Sequence, residues 1–484
     1  MGLLSIAETR EVVVHRGSSR VLSSTSFSLE EGQLVAIVGE NGSGKTTLIE
    51  TLAGIIPLRE GGVYWRGKEG KIVTVRDSEG RRNAPPPMGL TLQKDGICGD
   101  ETVRERMSAS LEVAGLKVGN EVINNLLETW GIYHRSEDRV LQLSGGLRRR
   151  LSLLCGIAPA ALRDEPTAVL LDEPSEGLDK SAKDTLVGWL RALSSRNHGV
   201  VFATHDSDLI KCADRVLYIN DGHLSEEKGE SSGNLCVLPE TCTSEEPSPI
   251  FSAVRWALRT EYRNPIDTIG KATPAVVCLL LAYALVGELD IDSHGSELLA
   301  ALVLAPAFIT AISSPAILHR LSESDSGRWW DAVVGPMARP AFSIGGASIL
   351  LPIPIVYLSW FVLAGSVDPN TSSEVLWWLW LPALSMLDLA VAATSLHLLV
   401  SDLSRSSAVP APLLLIVLVW PFLELTDALA AIIDGGMEFS LTLQDPIITC
   451  LIASLISALV WLGAVLIPDS VSYTHLTLPP NREV

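Results

Sequence analysis

No Cys-x-x-Cys spacing occurs among the seven cysteines, Cys98, Cys155, Cys212, Cys236, Cys242, Cys278 and Cys450. That absence removes the usual zinc arrangements, and scattered single thiols point to reduced cysteines in a cytosol-facing protein. Positive charge is also short: 37 Lys and Arg stand against 56 Asp and Glu, a formal net charge of −19. Nucleic acid is therefore not expected as a partner, since phosphate contacts need a basic face. Met1-Gly2-Leu3-Leu4-Ser5-Ile6-Ala7 has no charged segment followed by an apolar core, so no signal peptide is expected. Mean hydropathy is positive in spite of the charge, because apolar residues crowd into the second half while the acids spread over the first half, a linker and the loops. A chain of 484 residues is too long for one core and implies two or three domains.

Gly39-Glu40-Asn41-Gly42-Ser43-Gly44-Lys45-Thr46-Thr47 fits the phosphate-binding loop G-x-x-x-x-G-K-[ST]. Leu34-Val35-Ala36-Ile37-Val38 before it reads as a buried strand, and Leu48 to Gly54 after it as a helix closed by glycine. Strand, loop and helix in that order suit the chemistry. Glycines let backbone N–H groups curl around phosphates, Lys45 can reach the β and γ phosphates, the Thr46 hydroxyl can hold Mg²⁺, and the helix dipole favours an anion. ATP and Mg²⁺ are the cofactors so implied. Ahead of the loop, β-like runs at Glu11–His15 and Val21–Leu29 alternate with turn residues at 16–19 and 30–32, predicting an antiparallel layer.

Further motifs follow in order. Leu90-Thr91-Leu92-Gln93 ends a short strand-like run, Asp100-Glu101-Thr102-Val103 opens a helical stretch, and Leu143-Ser144-Gly145-Gly146-Leu147 opens another. Ala168-Val169-Leu170-Leu171-Asp172-Glu173-Pro174 is an apolar strand ending in two carboxylates, followed by Ser175-Glu176-Gly177-Leu178-Asp179. Val200-Val201-Phe202-Ala203-Thr204-His205-Asp206 is a second apolar strand, with a histidine at its end. This order, over about residues 5 to 228, strongly resembles the nucleotide-binding domain of ATP-binding-cassette (ABC) transporters.

The resemblance implies an α/β P-loop NTPase fold and roles for these positions. Gln93 would touch Mg²⁺ and sense a transmembrane partner; Ser144, Gly145 and Gly146 would grip the γ phosphate held by the opposite subunit. Asp172 would hold Mg²⁺, so that Thr46, Gln93 and Asp172 form the metal set. Glu173 would polarise the attacking water, and His205 would contact the γ phosphate and hold that water in line, with Lys45 completing the catalytic group. Asp179 belongs to the D-loop, which communicates between two sites. His15 stands where the family carries an adenine-stacking aromatic, and is equally open to being a solvent-facing strand residue. Leu147 replaces the family's more common Gln. Because the signature serves a neighbouring subunit, one set of motifs implies a homodimer.

Residues 1–228 are thus expected to form the ATPase domain, and 229–249 a flexible acidic linker rich in Glu, Ser, Gly and Pro. Residues 250–264 place Phe251, Val254, Trp256, Leu258 and Tyr262 among Arg255, Arg259 and Arg263, predicting an amphipathic helix on the membrane surface, with packing on the ATPase as the alternative. Six apolar spans long enough to cross ~30 Å of hydrocarbon follow, at about 269–288, 297–317, 341–364, 375–400, 407–426 and 446–467. They make 250–468 an all-α six-span transmembrane domain.

Basic residues of this half lie in the leading helix (Arg255, Arg259, Arg263, Lys271), in the second loop (Arg320, Arg328, Arg339), in the fourth (Arg405) and in the tail (Arg482), whereas the other loops carry none. The positive-inside rule then puts the ATPase and both termini in the cytosol, in a multi-pass protein of the cytoplasmic membrane among its lipids. Trp377, Trp378 and Trp380 read as an interfacial belt. Asp388 and His397 are functional candidates by being ionisable within a span, His397 also being placed to reach the interface. Residues 469–484 fit nothing before them and read as non-native sequence.

The layout of 318–340, an acidic glycine-bearing turn, an apolar helix and a Pro-x-x-Arg-like entry to the third span, resembles ABC-2 exporter permeases, and most nearly the haem exporter of cytochrome c maturation. It implies an ATP-driven half-transporter exporting a small molecule, haem first and a lipid, drug or peptide as the alternative, with accessory subunits left open. The loop is expected to meet the ATPase near Gln93. A membrane-tethered ATPase that transports nothing is the competing class.

Overall fold

A computed structural model describes residues 5–263, 265–288, 291–313, 317–346, 352–363, 372–402, 418–433 and 445–466. They fall into two compact units, one built from residues up to 253 together with 319–338, the other from 254–318 and 339–467. The tail 469–484, the start of the fifth expected span, Arg405 and Arg482 lie outside the described residues.

The first unit is α/β, built around two sheets. β1 (Ser5–Arg16), β2 (Ser19–Glu30), β4 (Glu60–Arg66) and β5 (Ile72–Asp77) make an antiparallel sheet in the order β2-β1-β4-β5. It is the antiparallel layer expected ahead of the phosphate loop, completed by a second hairpin. The six-stranded sheet runs β10-β9-β3-β8-β7-β6, from β3 (Leu34–Val38), β6 (Gly89–Thr91), β7 (Ala168–Asp172), β8 (Gly199–Ala203), β9 (Arg215–Asn220) and β10 (His223–Lys228). All its neighbours are parallel except the β9–β10 hairpin. β7 and β8 are buried along their whole length, which is why they read as unbroken apolar runs.

Helices cover this sheet: α1 (Lys45–Leu52), α2 (Val103–Val113), α3 (Asn120–Thr129), α4 (Gly145–Ala161), α5 (Lys180–Ser195) and α6 (Ser207–Cys212). Their starts are written in the sequence. Thr102 and Glu105 form a capping box at α2, and the side chains of Ser144, Asp179 and Asp206 cap α4, α5 and α6. α4 lies so close to β6 that a Cβ on Gly89 would stand 1.9 Å from the Gly156 carbonyl oxygen.

Residues 229–249 differ from the flexible linker expected. Backbone N–H groups of Cys236, Cys242 and Glu245 donate to the carbonyls of Gly188 (3.2 Å), Leu162 (2.8 Å) and Gly115 (2.8 Å), and Leu238 is buried. The Arg196 guanidinium donates to the carbonyls of Pro239 and Leu238. The acidic composition predicted solvation; a few apolar and backbone anchors bind the segment to the ATPase instead.

Residues 319–338 belong to the same unit. α10 (Ile317–Ser322) leads into a tight turn and α11 (Ser326–Val334), which packs beside β6. Trp329 Nε1 donates to the Leu90 carbonyl at 3.1 Å, the Arg106 guanidinium lies 3.8 Å from the Trp329 ring centre, and the Gly96 N–H donates to the Ser324 carbonyl at 2.9 Å. The Glu323 carboxylate accepts from the Gly99 N–H at 3.2 Å, and Arg320 Nε donates to Asp100 at 2.7 Å. The loop therefore lies against the segment that follows Gln93, as expected.

The second unit is helical, from α7 (Pro249–Arg263), most of which lies in this unit, through α8 (Pro265–Glu288), α9 (Ile291–Ile312), α12 (Ala338–Gly346), α13 (Pro352–Leu363), α14 (Ser372–Asp402), α15 (Trp420–Ile433) and α16 (Pro446–Leu466). α9 is central to its core, with Ala300, Val303, Leu304 and Ala307 buried among residues of α13, α14 and α15. In α7 the stripe Ala253, Trp256, Ala257 and Thr260 is buried, Trp256 meeting the Phe342 ring at 5.7 Å, whereas Ile250 and Phe251 are exposed. Among the described residues one segment, Gly295–Ile312, is long and apolar enough to cross a membrane; Ala272–Val286, Pro352–Leu363 and Pro446–Leu459 are shorter apolar helices.

Candidate nucleotide site

The sheet order assembles the site. β3, β8, β7 and β6 are neighbours, and at their carboxyl ends stand the phosphate loop, His205, the Asp172–Glu173 pair and Gln93. Four motifs scattered over more than half of the ATPase sequence thus share one edge, where ligands of parallel α/β sheets sit.

In the loop, Gly44 takes φ +112°, a backbone conformation that suits glycine, and directs the chain into α1. Lys45 is buried and its ammonium donates to the carbonyls of Gly39 (2.9 Å) and Glu40 (3.0 Å), which curls the loop around it. Asn41 and Gly42 are exposed, Ser43 is half-buried and its hydroxyl has no partner among the described residues. Such a loop offers free backbone donors at a helix N-terminus and a cation, the arrangement an anion requires.

Asp172 is buried and neither carboxylate oxygen has a hydrogen-bond partner among the described residues. Burial pushes its carboxyl up to about 6, opposed by the neighbouring Thr46 hydroxyl. Two orphaned buried oxygens beside a hydroxyl fit a hard divalent cation, and Thr46 with Asp172 can hold Mg²⁺ through oxygen. Glu173 sits at the strand end with φ +46°, its N–H donating to the Ala203 carbonyl at 3.0 Å. Its carboxyl is also raised by burial, against the lowering charges of His205 and Lys45. Glu173 Oε1 and His205 Nε2 are 3.2 Å apart, and half of the His205 side chain faces solvent. A carboxylate so placed can accept a proton from water.

Gln93 is exposed and Ser144 stands exposed at the N-cap of α4, its hydroxyl accepting from the Leu147 N–H at 3.4 Å. Gly145 is exposed and Gly146 half-buried beside the Gly177 carbonyl, so signature and D-loop are adjacent. The Asp179 carboxylate is engaged within its own chain, capping α5 through the Ala182 N–H (3.1 Å) and pairing with Arg150 (2.7 Å). His15, half-buried, pairs with Arg20 across the β1–β2 hairpin. In the helical unit His397 Nε2 lies 3.4 Å from the Ile312 carbonyl.

Arg149 is a residue that motif reading passes over. It is buried, and its guanidinium donates to the carbonyls of Asp172 and Glu173 (2.7 Å each) and of Leu92 (2.9 Å). It thereby fastens the signature helix to the backbones that carry both carboxylates and Gln93. Only its place after the signature, one turn into α4, could have marked it.

Residues 22–176 match the ABC transporter family. Over 212 residues the chain is 30% identical to an ABC transporter ATP-binding protein of Methanocaldococcus jannaschii, covering 43% of this chain and 74% of that protein. It is 30% identical over 248 residues to the macrolide export ATP-binding/permease protein of Psychrobacter cryohalolentis, covering 50% of this chain and 36% of the relative. Over 226 residues it is 27% identical to the methionine import ATP-binding protein of Brucella abortus, covering 46% and 59%. The chain thus spans less than two thirds of the last two relatives. Among solved structures, an ATP-binding subunit of an ABC transporter is 19% identical with a TM-score of 0.41, covering 46% of this chain and 90% of that one. A bacterial ABC transporter cassette solved as a dimer is 23% identical with a TM-score of 0.39, covering 47% of this chain and all of that one.

Proposed function

This chain belongs to the ABC transporter ATP-binding proteins, and from that premise we propose that it is an ATP-driven half-transporter working as a homodimer. ATP hydrolysis coupled to transport is the general activity of these transporters. The observation that carries the reading is the common edge of β3, β8, β7 and β6, where Lys45, His205, Glu173 and Asp172 meet. Gly39 to Thr47 would cradle the triphosphate, Thr46, Asp172 and Gln93 would hold Mg²⁺, and the ion would neutralise phosphate charge. Glu173 would take the proton of the attacking water, with His205 keeping the carboxylate and water in line. Ser144, Gly145 and Gly146, exposed at the N-terminus of α4, would complete a second subunit's site, which supports pairing. Asp179 would act in that pairing through its cap and its Arg150 contact rather than by touching nucleotide.

The helical unit would cross the cytoplasmic membrane with the ATPase in the cytosol. Support comes from the apolar helices α8, α9, α13 and α16 and from the basic residues confined to alternate loops. Export is favoured by the fusion of ATPase and helical unit in one chain, as the macrolide export relative also carries ATPase and permease under one name. For the cargo, the layout of 318–340 makes a haem-type molecule the first candidate, with lipid, drug or peptide next. The test is ATP turnover and flux of the full chain in lipid vesicles, wild type beside E173Q, with haem and a panel of amphiphiles. Stimulation by haem alone, with flux, supports haem export. Turnover without flux of any compound favours a tethered ATPase, the reading that the single long apolar segment among the described residues keeps open.

A further inference from the structure

Loop 319–338 reaches past the segment after Gln93 and touches the phosphate-loop helix itself. Arg328, on α11, places a guanidinium nitrogen 2.6 Å from Glu50 Oε1, and the other carboxylate oxygen of Glu50 is paired with Arg16. Glu50 lies on α1, four residues after Thr46, so the two share one face of the helix a single turn apart. Its side chain is 4% exposed. A carboxylate at that depth is tolerated only when paired, and removing one partner leaves charge uncompensated. Arg16 alone can neutralise Glu50; the second arginine fixes where the carboxylate, and hence the helix turn bearing Thr46, must sit.

Arg328 is itself held in place. Asp325 lies 3.8 Å from its guanidinium and 3.7 Å from Lys94, the residue after Gln93. Trp329 beside it is locked to Leu90 and Arg106, and Asp331 pairs with Arg82. α11 is therefore a short element held by several contacts, of which the Arg328–Glu50 pair leads to α1.

We infer that Arg328 is a positioning residue for nucleotide binding, holding the phosphate-loop helix through Glu50. Loop 319–338 thereby acts on the ATP site by a second route, separate from Gln93. When the loop withdraws, Oε1 of Glu50 loses its partner beneath Thr46, α1 relaxes, and the affinity for Mg-ATP falls; when it is seated, the site is set to bind. The inference rests on the ATPase reading and not on any cargo.

The test is Mg-ATP saturation of turnover by the full chain in lipid vesicles. R328Q is expected to raise KM about 10-fold with kcat changed less than about 2-fold, the size of a lost charged pair. R328K, which keeps the charge and so the fold, should lie between R328Q and wild type. In an E50Q background R328Q should add nothing further, because the contact it removes is already gone. W329A loosens α11 without touching Glu50 and should leave a smaller KM change than R328Q. Wild-type KM in both R328Q and R328K, additive effects with E50Q, or an equal KM rise in W329A would each overturn the inference. Failure of the ATPase reading shows separately, as wild-type turnover in E173Q.

Discussion

His205 Nε2 stands 3.2 Å from Glu173 Oε1, each residue just beyond the carboxyl end of one of two adjacent parallel strands. The pairing of β7 with β8 sets that distance, since Asp172 and Ala203 are register partners, Glu173 follows its strand directly and His205 stands two residues past the end of its own. The Glu173 and His205 side chains are in this way set against each other by a backbone ladder.

If Glu173 is the base, E173Q should lower kcat by about 10²- to 10⁴-fold while ATP still binds, because the amide keeps the shape and loses the proton acceptor. Phosphate release and equilibrium nucleotide binding, measured on the same preparation, check this. Turnover within about 10-fold of wild type would assign the proton to another group. H205A should lower kcat in the same direction.

If Asp172 is a Mg²⁺ ligand, the cation requirement should depend on pH. Burial has raised its carboxyl to about 6, so the ionised form prevails above that pH and the protonated form below it. A proton then competes with Mg²⁺. The Mg²⁺ concentration for half-maximal turnover should rise as pH falls through about 6, and D172N should require far more Mg²⁺ at every pH. A Mg²⁺ requirement constant from pH 7.5 to 5.5 in the wild type would exclude Asp172 as a ligand.

Arg149 should matter to both stability and turnover. R149M removes a buried guanidinium that donates to the carbonyls of Leu92, Gln93, Asp172 and Glu173 and pairs with Asp95, a loss of about 3 kcal/mol or more. Thermal unfolding should show a clear fall, and the surviving folded protein should turn over slowly because Glu173 is no longer held. An unchanged melting temperature would mean that the carbonyls find other donors.

What could be read beforehand was local. The apolar run at 34–38, the glycines of the loop and the caps Thr102, Ser144 and Asp179 each mark an element within a few residues of its start, and the order of motifs then implies the edge on which they meet. What could not be read was long-range. Arg149 on the carbonyls of Leu92, Gln93, Asp172 and Glu173, Arg328 on Glu50, and the segment 229–249 on Gly188, Leu162 and Gly115 join residues far apart in sequence, with no periodicity to announce them. Acidic and polar composition made 229–249 look solvated, because backbone hydrogen bonds and one buried Leu238 leave no compositional trace. The motif reading puts Asp179 on the D-loop, but its carboxylate is engaged by Ala182 and Arg150, a competition that only the fold reveals.

His198, in the turn before β8, contributes a loss of folding stability as pH falls. It is fully buried; its Nδ1 accepts from the Thr167 N–H at 3.2 Å, and burial, with the charges of Arg196 and Arg163, lowers its pKa to about 4. The unfolded chain protonates this imidazole near 6.5, whereas the folded protein holds it neutral down to about 4. Between those values the unfolded state binds the extra proton, so stability is full above about 6.5 and is lost as pH falls. From pH 6.5 to 5 the loss from this residue alone is about 2 kcal/mol. H198N keeps an acceptor for Thr167 and cannot titrate, so its stability should fall less over that interval by the same amount. Proteolysis-detected urea unfolding of the ATPase unit in the full chain measures both. Parallel pH curves for wild type and H198N would mean that the imidazole becomes protonated in the folded protein, and that the buried pocket opens before the unit unfolds.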